Sequence, residues 1–157
     1  MTERAPLLSI RDVSFAYPQG ENTLDGVSFD VAAGELVTLL GPNGSGKSTL
    51  LNCIMNLLEP QQGSILLEGT PVRDWGQRGI AQRIAYVPQS VSVQFSYTVR
   101  DYAAMGRAPF LKLHESPGPD DYALVDAALE RLGVTDLADR AYNELSGGQQ
   151  QLVDVAR

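Results

Sequence analysis

The chain has 157 residues, the length of one domain, and its composition, 43% hydrophobic and 20% charged, excludes a disordered or fibrous protein. Its 12 basic and 19 acidic side chains give a net charge of -7, which argues against nucleic acid or anionic lipid as a direct partner. No run approaches the roughly eighteen apolar residues of a membrane span, and residues 1–6 lack the apolar core of a secretion signal. The sequence therefore reads as cytoplasmic, reaching a membrane only through a protein partner.

Taken in order, residues 7–15 come close to strand alternation through Leu8, Ile10, Val13 and Phe15, with a one-place slip at Arg11-Asp12 that a bulge would produce. Residues 16–20 form a turn carrying Tyr17. An aromatic ring on a loop before a phosphate-binding motif is either a stacking platform for a base or a turn residue capping the sheet edge. Val27, Phe29 and Val31 predict a second, antiparallel strand. Residues 35–40 then read as a buried strand leading into Gly41-Pro42-Asn43-Gly44-Ser45-Gly46-Lys47-Ser48-Thr49.

That stretch is a full P-loop pattern. Its glycines let backbone N–H groups curl around phosphate oxygens at a helix N-terminus, while Lys47 reaches the outer phosphates and Ser48 ligates Mg²⁺. Leu50, Leu51, Ile54 and Leu58 predict the helix behind it. Cys53 lies in that helix and reads as a small buried residue, not a nucleophile.

Residues 59–63 stop the helix, and residues 64–68 predict a strand ending at Gly69. Residues 80–84 read as a short helix or its end. Residues 83–87 read as a short strand stopped by Pro88, which leaves Gln89 at a strand C-terminal end, where ligands sit in open α/β sheets; a lone Gln there is otherwise simply solvated. Thr98 is a candidate N-cap for a helix through Val99, Tyr102, Ala103 and Gly106. His114 falls in a Pro/Gly-flanked loop. Asp120-Asp121 cap a further helix carrying Val125, Leu129 and Leu132 and ending at Gly133. The acidic residues Asp126, Glu130, Asp136, Asp139 and Glu144 have no spacing that singles out a paired-carboxylate site and read as a solvated face.

Leu145-Ser146-Gly147-Gly148-Gln149, downstream of the P-loop and the Gln-ended strand, resembles the signature motif of ATP-binding cassette (ABC) ATPases. The resemblance runs through nearly the whole chain. It implies an α/β fold: an ABC-type P-loop nucleotide-binding domain, partial, with an antiparallel β subdomain and P-loop core in residues 1–96 and a helical signature subdomain in residues 97–157. It also implies ATP and Mg²⁺ as cofactors, with Tyr17 stacking on adenine and Gln89 contacting Mg²⁺ and the attacking water. Gly41, Asn43, Gly44, Ser45, Gly46, Lys47, Ser48 and Thr49 would bind the nucleotide, and Ser146, Gly147, Gly148 and Gln149 would close in trans over the γ-phosphate of a second ATPase subunit, expected to be a second copy. The remaining implied partners are a transmembrane permease, which holds the protein on the inner face of the cell membrane, and indirectly a substrate-binding protein. No nucleic acid is expected.

A narrower likeness lies in Tyr86-Val87-Pro88-Gln89 and in residues 95–107, which resemble importers of iron-siderophore, haem or cobalamin. The family's following Asp-Glu strand and switch histidine have no counterpart before Arg157, and neither Asp126 nor Asp154 stands in a strand that could substitute. The chain as given is thus expected to be truncated, to bind nucleotide better than it hydrolyses it, and to leave part of its sheet uncovered. A non-hydrolysing nucleotide-binding module and a soluble ABC protein unconnected with transport are the alternatives. Leu152 and Asp154 depart from the family's pattern in the signature helix and put that helix's packing in question.

Overall fold

The computed structural model describes residues 6–18, 20, 22–89 and 96–157. The chain forms two compact units, Met1–Ile84 and Ala85–Arg157. Residues 1–5, Gln19 in the expected turn and Phe95 in the importer-like stretch lie outside the described residues. Among the described residues, no helix is long and apolar enough to cross a membrane.

The first unit is a four-stranded antiparallel sheet in the order β2-β1-β3-β4, made of β1 (Leu8–Ala16), β2 (Asn22–Val31), β3 (Gln62–Leu67) and β4 (Thr70–Pro71). Two helices, α1 (Lys47–Ile54) and α2 (Val72–Ala81), accompany it. The slip expected in β1 is present: Ile10 pairs with Phe29 and Val13 with Val27, so one strand carries an extra residue between them. Asp12 sits at that bulge with φ 50°. The neighbouring strand comes so close there that a Cβ on Gly63 would lie 2.3 Å from the carbonyl oxygens of Arg11 and Asp12, which leaves glycine as the fitting residue. The slip keeps Ile10, Val13 and Phe15 on one face, where they bury against Leu24, Leu50, Cys53, Ile54, Ile65 and Leu67. Glu68 and Gly69 both have positive φ and close the β3–β4 hairpin in two residues.

Two expected strands are absent. Residues 35–40 belong to no strand, and Leu36 and Leu40 are 92% and 88% exposed. Residues 83–87 are likewise in no strand, with Tyr86 and Val87 exposed. The physical reason is shared: a strand of a parallel sheet gets its backbone hydrogen bonds from neighbours, and among the described residues none pairs with either run. An apolar run alone cannot supply its own partners.

Helix α1 is shorter than its apolar stripe suggested. Leu50 and Ile54 are buried, Leu51 is exposed, and Leu58 reaches the core from beyond the helix end. Helix α2 begins eight residues before the expected one and is broken at Gly76, whose φ 62° and ψ 171° are non-helical. Trp75 donates its indole N–H to the Leu67 carbonyl at 3.3 Å, and Arg83 lies over the Trp75 ring at 3.6 Å.

The second unit is helical: α3 (Val99–Ala104), a 3-10 turn Met105–Phe110, α4 (Pro119–Arg131) and α5 (Gly147–Ala156), with shorter 3-10 turns at Thr135–Leu137 and Tyr142–Glu144. Its core gathers Val99, Tyr102, Ala103, Val125, Leu129, Val134, Tyr142 and Val153. Thr98 caps α3 as expected, accepting from Asp101 N at 3.1 Å and donating to Asp101 Oδ2 at 2.7 Å. Helix α4 is capped differently. Gly118 is its N-cap, Pro119 its first residue, and Asp121 accepts from Gly118 N at 3.1 Å from inside the first turn.

Candidate functional site

The P-loop stretch runs into the start of α1. Gly44 and Gly46 take left-handed φ values of 82° and 86°, a region where side chains are strained. Gly46 is the N-cap of α1, and a Cβ there would lie 2.6 Å from the Thr23 carbonyl and 2.9 Å from Leu24, so the loop is pressed onto β2. A Cβ on Gly41 would lie 2.6 Å from Ser45 Oγ, whereas one on Gly44 would meet open space. No side chain caps α1 and no acidic residue stands in its first turn, so the positive end of the helix is not neutralised from within. The Lys47 ammonium donates to the carbonyls of Gly41 at 2.8 Å and Pro42 at 2.7 Å and lies 3.3 Å from Ser45 Oγ. Lysine and loop are thus brought together. Asn43 and Ser48 are exposed, and Thr49 is buried.

Tyr17 belongs to the same unit. Its hydroxyl and Thr49 Oγ1 are hydrogen-bonded at 3.3 Å, and its ring meets Phe15 edge-on, 5.0 Å between centroids at 85°. The side chain is nonetheless 45% exposed, leaving aromatic surface open to a ligand. Immediately before it, Ala16 is paired with the side chain of Gln61. Gln61 Oε1 accepts from Ala16 N at 2.7 Å, and Gln61 Nε2 donates to Ala16 O at 2.7 Å. Nothing in the sequence around Gln61 announces this pairing across 45 residues.

Gln89 and the signature residues lie in the other unit. Gln89 is exposed at a bend. Ser146 is the N-cap of α5 in a reciprocal capping box: Ser146 Oγ accepts from Gln149 N at 3.4 Å, and Gln149 Oε1 accepts from Ser146 N at 3.0 Å. Gly147 and Gly148 are exposed, and a Cβ on either would meet nothing within 4 Å. The start of α5 is therefore a built helix terminus at which Gly147 and Gly148 are exposed.

Asp154, which departs from the family's pattern, does not disturb α5. Its Oδ1 accepts from the hydroxyls of Tyr102 at 2.8 Å and Tyr142 at 2.9 Å, two residues that are each 2% exposed. The Arg157 guanidinium donates to the Tyr102 hydroxyl at 3.0 Å. Burial, then the bond to Asp154, pushes both phenols above the ordinary tyrosine range. Asp126, expected on a solvated face, is held in a bidentate pair by Arg100 at 2.7 and 2.6 Å, which lowers its pKa. Among the described residues, no group of His, Cys, Asp and Glu is placed to hold a metal ion. Cys53 has no exposed surface, and burial pushes its thiol up.

Comparison with known proteins gives consistent results. The chain is 46% identical over 134 residues to the hemin import ATP-binding protein HmuV of Nocardia farcinica, covering 85% of this chain and 46% of that protein. It is 42% identical over 139 residues to the cobalamin import ATP-binding protein BtuD of Halobacterium salinarum, covering 88% and 34%. Among solved structures, cbiO1 from Clostridium perfringens, part of the ABC transporter complex cbiONQ, superposes with a TM-score of 0.81 at 32% identity, over 98% of this chain and 61% of that one. A nucleotide-free ATP-binding cassette from an ABC transporter also gives 0.81, at 27% identity, over 97% and 64%. The chain spans about half the length of HmuV, the first of these relatives. The family model for the ABC transporter covers residues 24–157, from β2 through the P-loop to the end of α5, and the chain therefore belongs to the ABC transporter family, with the fold of its ATP-binding domain.

Proposed function

We propose that the chain binds ATP with Mg²⁺ at the P-loop and serves, within a paired protein of its relatives' length, as the energising subunit of an importer. The observation that carries the reading is the loop itself: left-handed Gly44 and Gly46, an uncapped α1 and a lysine already folded over the loop. The residues fit a triphosphate, because the Gly44 side of the loop is open where a Cβ would otherwise stand and the loop's N–H groups precede a helix with no competing acid. Gly41, Asn43, Gly44, Ser45, Gly46, Lys47, Ser48 and Thr49 hold the phosphates, with Ser48 and Gln89 on the magnesium side and Tyr17 under the base. When bound, Mg²⁺ supplies charge neutralisation at the phosphates.

In the paired protein, Ser146 to Gln149 of one copy offers the N–H end of α5 to the outermost phosphate held by the other. A permease is the second partner, and the protein lies against the inner membrane face through it. Iron-siderophore, haem or cobalamin is the proposed cargo; the names of the relatives, hemin and cobalamin import proteins, support the latter two.

Titration calorimetry with Mg-ATP tests the site. Lys47→Ala removes the only side-chain cation of the P-loop and is expected to lower affinity at least a hundredfold, with an unchanged far-UV spectrum. Equal binding by the variant and the parent would sink the assignment.

A further inference from the structure

Tyr17 is held on three sides within the β unit. Its ring is set by the edge contact with Phe15, its hydroxyl by Thr49 in the third position of α1, and its backbone entry by the Gln61 amide at Ala16. The Gln61 contact differs from an ordinary surface hydrogen bond. Gln61 N also donates to the Ser14 carbonyl at 3.0 Å, so its backbone, one residue before β3, extends the β1–β3 pairing, and its side chain carries that pairing on to Ala16. With donor and acceptor both used at 2.7 Å, the amide imitates one more residue of a paired strand. It thereby fixes the backbone of the residue from which Tyr17 departs.

We infer that Gln61 is a positioning residue for nucleotide binding, holding Tyr17 as a ready-made platform so that the ring need not be ordered when a base arrives. The inference rests on the proposed stacking role of Tyr17. A stacking platform is tolerant of base identity, because every base presents a π face. Ordering one aromatic side chain on binding costs enough to matter, so losing the clamp is expected to weaken nucleotide binding roughly three- to tenfold. The phosphates are proposed to sit on the loop and not on the ring, so a ligand without a base is expected to be much less sensitive to the clamp. Gln61 is exposed, and its removal opens no cavity in the core.

The test compares Mg-ATP, Mg-GTP and Mg-tripolyphosphate on the chain and on Gln61→Ala, Gln61→Glu and Tyr17→Ala, with a thermal melt of each. For Gln61→Ala the expected result is a three- to tenfold loss for both nucleotides and less than a twofold change for tripolyphosphate. Gln61→Glu, which keeps the acceptor for Ala16 N but loses the donor to Ala16 O, is expected to behave in the same direction. Equal losses for all three ligands would mean that Gln61 only supports the fold, and a loss confined to one nucleotide would mean that it reads the base directly; either result overturns the inference. If Tyr17→Ala lowers nucleotide binding while Gln61→Ala does not, the clamp fails and the stacking role stands. If Tyr17→Ala leaves the ratio of nucleotide to tripolyphosphate affinity unchanged, the stacking role itself fails and takes the clamp with it.

Discussion

Asp154 is the residue that most changes how the helical unit is understood. A carboxylate at an inward position of a helix is costly unless its oxygens are used, and here one oxygen accepts from two buried phenols. Asp154→Ala would strand both hydroxyl donors, at about 1–3 kcal/mol each, whereas Asp154→Asn keeps an acceptor oxygen in place. The expected outcome in urea unfolding is a large loss for Ala and a clearly smaller one for Asn. The same cluster gives a pH dependence with a definite sign. Tyr102 and Tyr142 titrate higher in the folded chain than the ordinary value of 10.0, because burial and then the bond to Asp154 favour the neutral form. Their contribution to stability is therefore complete below pH 10 and is lost as pH rises above it through the folded values. In Asp154→Ala the phenolate absorbance is expected to rise at lower pH than in the parent, by the part that the carboxylate supplied.

Helix ends show what could be read in advance. Thr98 is legible as a cap because capping is decided within four residues: a hydroxyl, and an Asp three places on. The bulge at Arg11-Asp12 was legible for the same reason, as a local slip in alternation. The buried stripe of α4 was legible from Val125 and Leu129, although its cap was displaced to Gly118 because Pro119 fits the first helical turn. What escaped was decided at a distance. Helix α2 is interrupted at Gly76 and buries only Val72 and Ile80, too sparse a pattern to show a helical period. Gln61 and Asp154 find their partners far along the chain, where no spacing rule reaches. The runs at 35–40 and 83–87 have strand-like composition, but a strand is a relation between segments.

The structure of α5 also separates two duties of Ser146. Aspartate caps helices as well as serine does, but it places a negative charge where the outer phosphate of a second copy is proposed to dock. Ser146→Asp is thus expected to leave the unfolding midpoint within about 0.5 kcal/mol of the parent and Mg-ATP affinity at the P-loop unaltered. ATP-dependent pairing of a form of its relatives' length, followed by light scattering, is expected to be lost. Pairing that survives the substitution would remove Ser146 from the proposed interface.

At the scale of the whole molecule, the decisive feature is the uncovered run at 35–40. Leu36 and Leu40 present apolar surface to water, while the HmuV relative runs to about twice the length. We expect Leu36→Lys in the 157-residue chain to reduce hydrophobic-dye binding and self-association, because it places a charge on a surface that is already wet. In a form of its relatives' length, where we propose that the run is a buried strand, the same substitution is expected to destabilise by several kcal/mol. Thermal melts of both forms check the reversal of sign.

Cys53 gives this molecule a gauge of its own. It is the chain's only thiol, it has no exposed surface, and it lies between α1 and the sheet that presses the P-loop into shape. A thiol reagent reaches it only when that packing opens, so its rate of labelling counts the excursions of the β unit alone, leaving the helical unit silent. Any ligand that holds α1 against the sheet slows the count by the factor with which it binds, whether or not the chain ever turns that ligand over.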